Sequence, residues 1–255
     1  MLKRSEVIDI IKPFIVNRDD VMAVWEGGSA ATNTLDAYSD LDLMVVVEDH
    51  AVEDVMQAMD AFLSKSFGIA QSYRVPEPAW HGFSQTFYQL NQTPAWFYLD
   101  FCVLPQSIND PFTAPDRHGV GLVWVDKAAF IKREPTPKKM VEKRAKAAYE
   151  RATGALFVMT IELEKAFLRE HYLDAYHGLY AFMMRSLVPL LNLHTRKAQV
   201  DFGLRYAERV YASEDLALIE SFFKASDFDA LKTIKSQMFA RFEALKPIFD
   251  HEFSI

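Results

Sequence analysis

The feature that most constrains the fold is a change of hydrophobic pattern at the segment Glu134-Pro135-Thr136-Pro137. Before this segment, short β-branched runs alternate with helical stretches, and after it apolar residues recur at helical spacing. Two prolines so close together interrupt regular structure, which suits a domain boundary. The sequence therefore predicts an α+β chain, with a mixed β-sheet domain over residues 1–134 and an all-α helical bundle domain over residues 135–255.

The hydrophobic pattern of the first half predicts both strands and helices. Helical spacing predicts helices over residues 6–16 and 52–67. Apolar, β-branched runs predict strands over residues 21–25, 41–47, 83–90, 95–104 and 121–125. The turn residues 91–94 between two of these runs predict a hairpin.

The second half predicts five helices. The first spans residues 136–170, with Thr136 as N-cap and Pro137 at the first helical position. The second spans residues 174–191, where Pro189 should end or kink it. A third spans residues 196–211, Ser213 caps a fourth, and Asp227 caps a fifth that runs towards His251.

Charge and apolar content exclude several classes of protein. The net charge is −7, and residues 1–134 carry 10 basic and 19 acidic side chains. Such an acidic first half does not suit binding of long nucleic acids, but it suits divalent cations and a cationic substrate. No apolar run approaches the ~20 residues needed to span a membrane, and the N-terminus lacks a secretory pattern. We therefore expect a cytoplasmic location, with the single cysteine, Cys102, as a buried thiol.

The first chemical motif is Gly27-Gly28-Ser29, which follows a predicted strand. Glycine allows close approach of the backbone to a ligand, and exposed N–H groups at such a turn form an anion site suited to phosphate. The Ser29 hydroxyl adds another donor. Taken alone, this motif is more typical of a plain turn.

The second motif consists of carboxylates at the start of and inside predicted strands. Asp40 and Asp42 open the strand 41–47, and residues two apart on a strand share a face. Asp100 lies inside an apolar run, where a charge is costly unless it is paired or binds a metal. Together the three acids predict a Mg²⁺ site that could hold two ions. A solvated strand start and a salt-bridge partner are the alternatives for the separate residues.

The segment from Gly28 to Leu43 resembles the signature of the nucleotidyltransferase superfamily of the DNA polymerase beta type. The helical half is similar in layout to the C-terminal domains of aminoglycoside and lincosamide nucleotidyltransferases. The resemblance implies that Gly27, Gly28 and Ser29 bind a nucleoside triphosphate, whereas Asp40, Asp42 and Asp100 bind magnesium. Asn33 replaces a glycine of many relatives, and asparagine tolerates the left-handed backbone conformation.

Two basic residues of the second half are further candidates. The resemblance implies that Lys197 and Arg185 help to hold the triphosphate, although exposed cations at helix ends have the same pattern. The implied reaction is Mg²⁺-dependent transfer of a nucleoside monophosphate, by default AMP from ATP, to an acceptor hydroxyl, with release of pyrophosphate. The general base is Asp100 or a carboxylate of the second domain.

The acceptor is left open by the sequence. An acidic cleft favours a small molecule such as an aminoglycoside-like antibiotic, and a protein side chain is the alternative. A different class of function is a non-catalytic partner protein, because small proteins of this fold act as antitoxins. The appended helical domain and the complete set of carboxylates favour the enzyme.

Overall fold

A computed structural model describes residues 1–253 of the chain. The chain divides into two compact units, the first comprising Met1–Pro135 and the second beginning at Thr136. The first unit is built on a sheet and the second is helical, so the α+β class is confirmed. Within the described residues, no helix is both long enough and apolar enough to cross a membrane.

A six-stranded mixed sheet forms the centre of the first unit. Its strand order is β3-β4-β5-β2-β1-β6, and every neighbouring pair is antiparallel except β2 and β5, which run parallel. The strands are β1 Val21–Glu26, β2 Leu41–Val47, β3 Ile69–Arg74, β4 Ser84–Leu90, β5 Leu99–Pro105 and β6 Leu122–Asp126.

Helices cover one face of this sheet. The helices of the first unit are α1 Arg4–Val16, α2 Gly28–Ala31, α3 Val52–Ser66 and α4 Pro115–His118, and a 3₁₀ turn spans Asp49–Ala51. Apolar residues of α1 and α3 pack against one side of β2 and β5, which includes Leu41, Leu43 and Phe101. Alternate residues of the same strands therefore point to the opposite face.

The opposite face has a small apolar cluster at one end. Met44 and Val46 of β2 and Leu104 of β5 are buried there and pack against residues such as Phe130 and Ile131. Nearer the start of each strand, the same face carries Asp42 and Asp100 instead of apolar side chains. The sheet thus places both acids at the end of an apolar face.

The second unit is a helical bundle with one continuous apolar core. Its helices are α5 Lys138–Thr153, α6 Leu156–Leu168, α7 Tyr172–Phe182, α8 Val188–Thr195, α9 Ala207–Val210, α10 Ser213–Phe223 and α11 Phe228–Phe253. Asp227 caps α11 as predicted, because its carboxylate accepts a hydrogen bond from the Ala230 N–H at 2.8 Å. The N-cap of α10 is Ala212, one residue before the predicted Ser213.

Two of the predicted helices were wrong in this unit. The helix 136–170 is broken at Gly154 and Ala155, where glycine weakens a helix interior, and it starts at Lys138 with Pro137 as its N-cap. The helix 196–211 is a 3₁₀ segment, Lys197–Phe202, followed by the short α9. The buried Arg196 guanidinium donates to the Gly203 and Arg205 carbonyls, and these bonds prevent the segment from forming a regular helix.

Pro189 acts differently from the prediction. The chain stays helical from Tyr172 to Thr195, but a π-helical turn over Met183–Leu187 precedes the proline. Proline has no N–H and its ring clashes with the carbonyl four residues back, and a wider turn removes that conflict. The proline is therefore accommodated at the first turn of α8 without ending the helical path.

Candidate active site

Asp42 and Asp100 lie side by side on neighbouring strands. β2 and β5 are parallel, and their register pairs Asp42 directly with Asp100. Residues opposite each other on adjacent strands project to the same face at a separation of about 5 Å. The register therefore brings the two carboxylates together on one face of the sheet.

The electrostatics of Asp42 reflect these neighbours. Burial, and then the nearby Asp40 and Asp100 carboxylates, raise the pKa of Asp42 to about 7. Burial also raises the pKa of Asp100, although hydrogen bonds from Gln85 and Cys102 oppose the shift. Asp40 lies one residue before β2. The three acids thus form one interacting group in which negative charge is poorly compensated.

The turn after β1 approaches Asp42 closely. The Gly27 N–H donates to the Asp42 carbonyl at 2.9 Å, which ties the turn to β2. Gly28 has a φ of +50°, and a Cβ added there would lie 1.8 Å from Asp42 Oδ2. Only glycine allows this approach, so the Gly28 backbone and the Asp42 carboxylate share one small space.

Ser29 carries an unsatisfied hydroxyl. Its Oγ is buried and has no hydrogen-bond partner within the described chain. A buried polar atom without a partner is uncommon in a folded protein and calls for an explanation, such as a ligand. The Ser29 backbone is fixed, because its carbonyl accepts from the Thr34 N–H at 2.9 Å. Asn33 adopts a φ of 55°, the left-handed conformation that the sequence predicted it would tolerate.

Sequence reasoning missed the residues that fix Asp40. The Arg4 Nε donates to the Asp40 carbonyl at 2.8 Å, and the same guanidinium pairs with the buried Glu26. The Trp124 Nε1 donates to the other Glu26 oxygen at 2.7 Å. These bonds anchor the residue before β2 to the end of β1. No local pattern marks Arg4, because its partners lie far away in the chain.

Sequence reasoning also missed the donors to Asp100. The Gln85 Nε2 donates to Asp100 Oδ1 at 2.7 Å, and the buried Cys102 thiol lies 3.4 Å from the same oxygen. Both donors therefore hold one carboxylate oxygen. Alternation along β4 places Gln85 on the same face as Phe87, the register partner of Asp100, but this register depends on contacts between distant strands.

The donor chemistry of this site fits a divalent cation bound together with phosphate. Across residues 1–253, no group of three or more His, Cys, Asp or Glu side chains is arranged to hold a metal ion by itself. Mg²⁺ usually takes one or two carboxylates plus phosphate oxygens, and the Asp40 and Asp42 pair meets that need. The unpartnered Ser29 hydroxyl lies in the turn that contacts Asp42, where it can donate to a phosphate. The Mg²⁺ ligands stay a prediction.

A family model described as streptomycin adenylyltransferase matches residues 1–253 of the sequence. The chain belongs to this family. It is therefore a nucleotidyltransferase (EC 2.7.7.-), and the family transfers AMP. This result confirms the resemblance to the nucleotidyltransferase superfamily. No curated protein matches the sequence.

The candidate residues of this streptomycin adenylyltransferase family member fall into two sets. The first unit brings together the Gly27-Gly28-Ser29 turn and the three acids. Lys197 and Arg185 belong to the second unit. The Lys197 ammonium pairs with Glu252 and lies 5.6 Å from the centre of the Phe253 ring, whereas Arg185 is exposed on the π-helical turn. Their contribution to nucleotide binding stays a prediction.

Proposed function

We propose that the protein transfers AMP from ATP, in a Mg²⁺-dependent reaction, to a hydroxyl group of a cationic antibiotic of the aminoglycoside type. The observation that carries the proposal is the register of Asp42 and Asp100 beside the Gly28 turn. The family match adds that AMP is the transferred group in relatives of this chain. ATP is present in the cytoplasm, and we propose that the enzyme acts there.

The Gly27-Gly28-Ser29 turn is proposed to bind the triphosphate. The Ser29 hydroxyl lacks a partner and can donate to a phosphate oxygen, and backbone N–H groups at such a turn can add further donors. The Arg4 and Glu26 contacts hold this end of β1 and the residue before β2 in place. A prepared donor set of this type binds phosphate without large rearrangement.

Asp40 and Asp42 are proposed to hold the metal. Burial and the repulsion between these acids raise the pKa of Asp42, and a cation bound between them would relieve the repulsion. When bound, Mg²⁺ would neutralise charge on the phosphates and on the leaving pyrophosphate. Gly28 keeps the phosphate-binding turn against Asp42, so that the triphosphate and the carboxylates meet at one point.

Asp100 is proposed as the general base. Gln85 and Cys102 hold its Oδ1, which leaves Oδ2 to accept the proton of the acceptor hydroxyl. A carboxylate whose pKa is raised by burial is a stronger base than an ordinary one. The acceptor oxygen then bonds to the α-phosphorus, and the bond to the β-phosphate oxygen breaks to release pyrophosphate. The acidic first unit favours an acceptor that carries positive charge.

The direct test is incubation with labelled ATP, Mg²⁺ and a panel of acceptors, with transferred AMP and released pyrophosphate as readouts. We expect transfer to streptomycin or a related cationic antibiotic by the wild type. Asp100→Asn should abolish turnover and keep most of the Mg²⁺–ATP binding, whereas Asp42→Asn should lose both. Transfer only to proteins or to RNA, or turnover that survives Asp42→Asn, would contradict the proposal.

A further inference from the structure

A row of aromatic side chains continues from the two acids across the same sheet face. The register pairs Asp100 of β5 with Phe87 of β4, and Phe87 with Tyr73 of β3. Side chains at paired positions project to the same face, so Asp42, Asp100, Phe87 and Tyr73 follow one another across four strands. The row leads from the acids towards the β3 edge of the sheet.

The rings of this row contact one another and remain accessible. The Tyr73 and Phe87 ring centres are 6.5 Å apart and nearly parallel, and the Phe87 and Tyr98 centres are 5.8 Å apart at a steep angle. Tyr73 is 59% exposed and Tyr98 is 38% exposed. We call Tyr73, Phe87 and Tyr98 the aromatic shelf. Accessible aromatic rings in contact provide apolar and π surface that a ring-shaped ligand can cover.

The shelf adjoins the acids directly. Tyr98 lies two residues before Asp100, and its phenol interacts with the Asp40 carboxylate. Phe87 is the register partner of Asp100 itself. A molecule that covers the shelf therefore has its nearest edge beside the carboxylates. Aromatic faces and carboxylates attract the same charge, since both bind cations.

The order of the strands separates this surface from the phosphate-binding turn. That turn follows β1, which lies on one side of β2, whereas the shelf lies beyond β5 on the other side. A triphosphate at Ser29 and a ring on the shelf would approach the acids from opposite sides. The arrangement suits two different molecules that meet at Asp42 and Asp100, rather than one molecule that covers both surfaces.

From this geometry we propose that the aromatic shelf binds the acceptor, as a stacked sugar or cyclitol ring that carries a protonated amine or guanidinium group. The inference rests on the proposed function and assigns its acceptor subsite to particular residues. The ring lies on the aromatic side chains, its cationic group faces the acids and ring faces, and its hydroxyl reaches Asp100. Neither a neutral sugar nor the nucleobase is expected to depend on the shelf.

The test is calorimetric titration of the full chain with streptomycin, kanamycin and spectinomycin, with and without a non-hydrolysable ATP analogue and Mg²⁺. The variants are Tyr73→Leu and Phe87→Leu, which remove a ring and retain apolar volume. Trp80→Leu is the matched control, because Trp80 is an exposed ring of the same unit that contacts His81 and Phe112 instead. Trehalose serves as the neutral comparison.

We expect at least one cationic antibiotic to bind the wild type, with each shelf variant weakening it about 3- to 10-fold. Binding of the ATP analogue with Mg²⁺ should change less than about twofold, and Trp80→Leu should behave as the wild type. Unchanged antibiotic binding in both variants, or no antibiotic binding at all, would overturn the assignment. Weaker binding of the ATP analogue alone would assign the shelf to the nucleobase. Shelf-dependent antibiotic binding without AMP transfer would instead refute the proposed function and leave the shelf assignment intact.

Discussion

Two aspartates, the partly buried Asp42 and the fully buried Asp215, have opposite surroundings in the two units. Asp215 in the helical unit is 2% exposed and binds Arg241 through both oxygens, at 2.6 Å and 2.8 Å. Asp42 in the sheet unit has two further carboxylates as neighbours, and its pKa is raised to about 7. A buried charge that serves the fold is paired within the chain, whereas one that serves a ligand is left for the ligand to compensate. The comparison separates a structural acid from a functional one.

The largest expected effect is on catalysis by Asp42→Asn. Asparagine keeps the size of the side chain but removes the charge that would hold the metal, so turnover should fall by about 10³-fold or more. The fold should remain intact, because the substitution also removes repulsion from Asp40 and Asp100. Steady-state rates and circular dichroism would check both halves of this prediction. Substantial residual turnover would place the reaction elsewhere.

Asp215→Asn should show the reverse pattern. Loss of one partner leaves the Arg241 guanidinium without its carboxylate, so the free energy of unfolding should fall by about 3 kcal/mol. Turnover per folded molecule should stay near the wild-type value, because Asp215 belongs to the helical core region and not to the candidate site. Urea denaturation would measure the free energy of unfolding, and steady-state rates at low temperature would measure turnover. If Asp42→Asn lost as much stability as Asp215→Asn, the distinction between a functional and a structural acid would fail.

Ser29→Ala extends the comparison between functional and structural groups to an uncharged side chain. The Ser29 Oγ has no partner in the chain, so its removal should leave the unfolding free energy unchanged or slightly higher. A lost hydrogen bond to a phosphate should weaken triphosphate binding by about 1.5–2 kcal/mol, or roughly 10- to 30-fold. Thr34→Ala is a nearby control, since its hydroxyl already contacts the Thr32 hydroxyl at 2.8 Å. Unchanged nucleotide affinity in Ser29→Ala would place the phosphates elsewhere.

A further expected effect is the pH dependence of stability without ligand. Because the folded pKa of Asp42 is about 7 against 3.8 for the free side chain, the folded state retains a proton that the unfolded chain releases. The stabilisation is complete below pH 4 and is lost as pH rises through about 7. Asp42→Asn should flatten this decline. The check is urea denaturation of the wild type and Asp42→Asn at several pH values from 4 to 8. An equal decline of the unfolding free energy with pH in both proteins would contradict the raised pKa of Asp42.

Much of the sheet unit was predictable because its patterns are local. The run 41–47 was predicted with its observed limits, and the two acids of this stretch follow from sequence spacing alone. The register that pairs Asp42 with Asp100 depends on contacts between distant strands, which no local pattern encodes. Strand β3 was missed because five of its six residues are exposed, so it lacks the apolar signal of a strand.

The helical unit was harder to predict because tertiary contacts override its periodicity. Residues 196–211 have helical spacing, but the buried Asn192 side chain donates to the Val200 and Gly203 carbonyls and fixes a different path. Arg196 adds bonds to the same segment. The same argument applies to Gln85 and Arg4 in the site, whose importance arises from the atoms that they meet in the folded chain.

The most direct test of the central claim is the melting temperature with and without Mg²⁺ and ATP, for the wild type, Asp42→Asn and Asp215→Asn. At 100 times its dissociation constant, a ligand stabilises by about 2.7 kcal/mol, so the wild type should melt several degrees higher with both ligands. We predict that Asp42→Asn loses this increase while its melting temperature without ligand is unchanged or higher. Asp215→Asn should melt lower and retain the increase. A large drop for Asp42→Asn without ligand, together with a normal increase on addition of Mg²⁺ and ATP, would contradict the assignment of Asp42 as a ligand-binding acid.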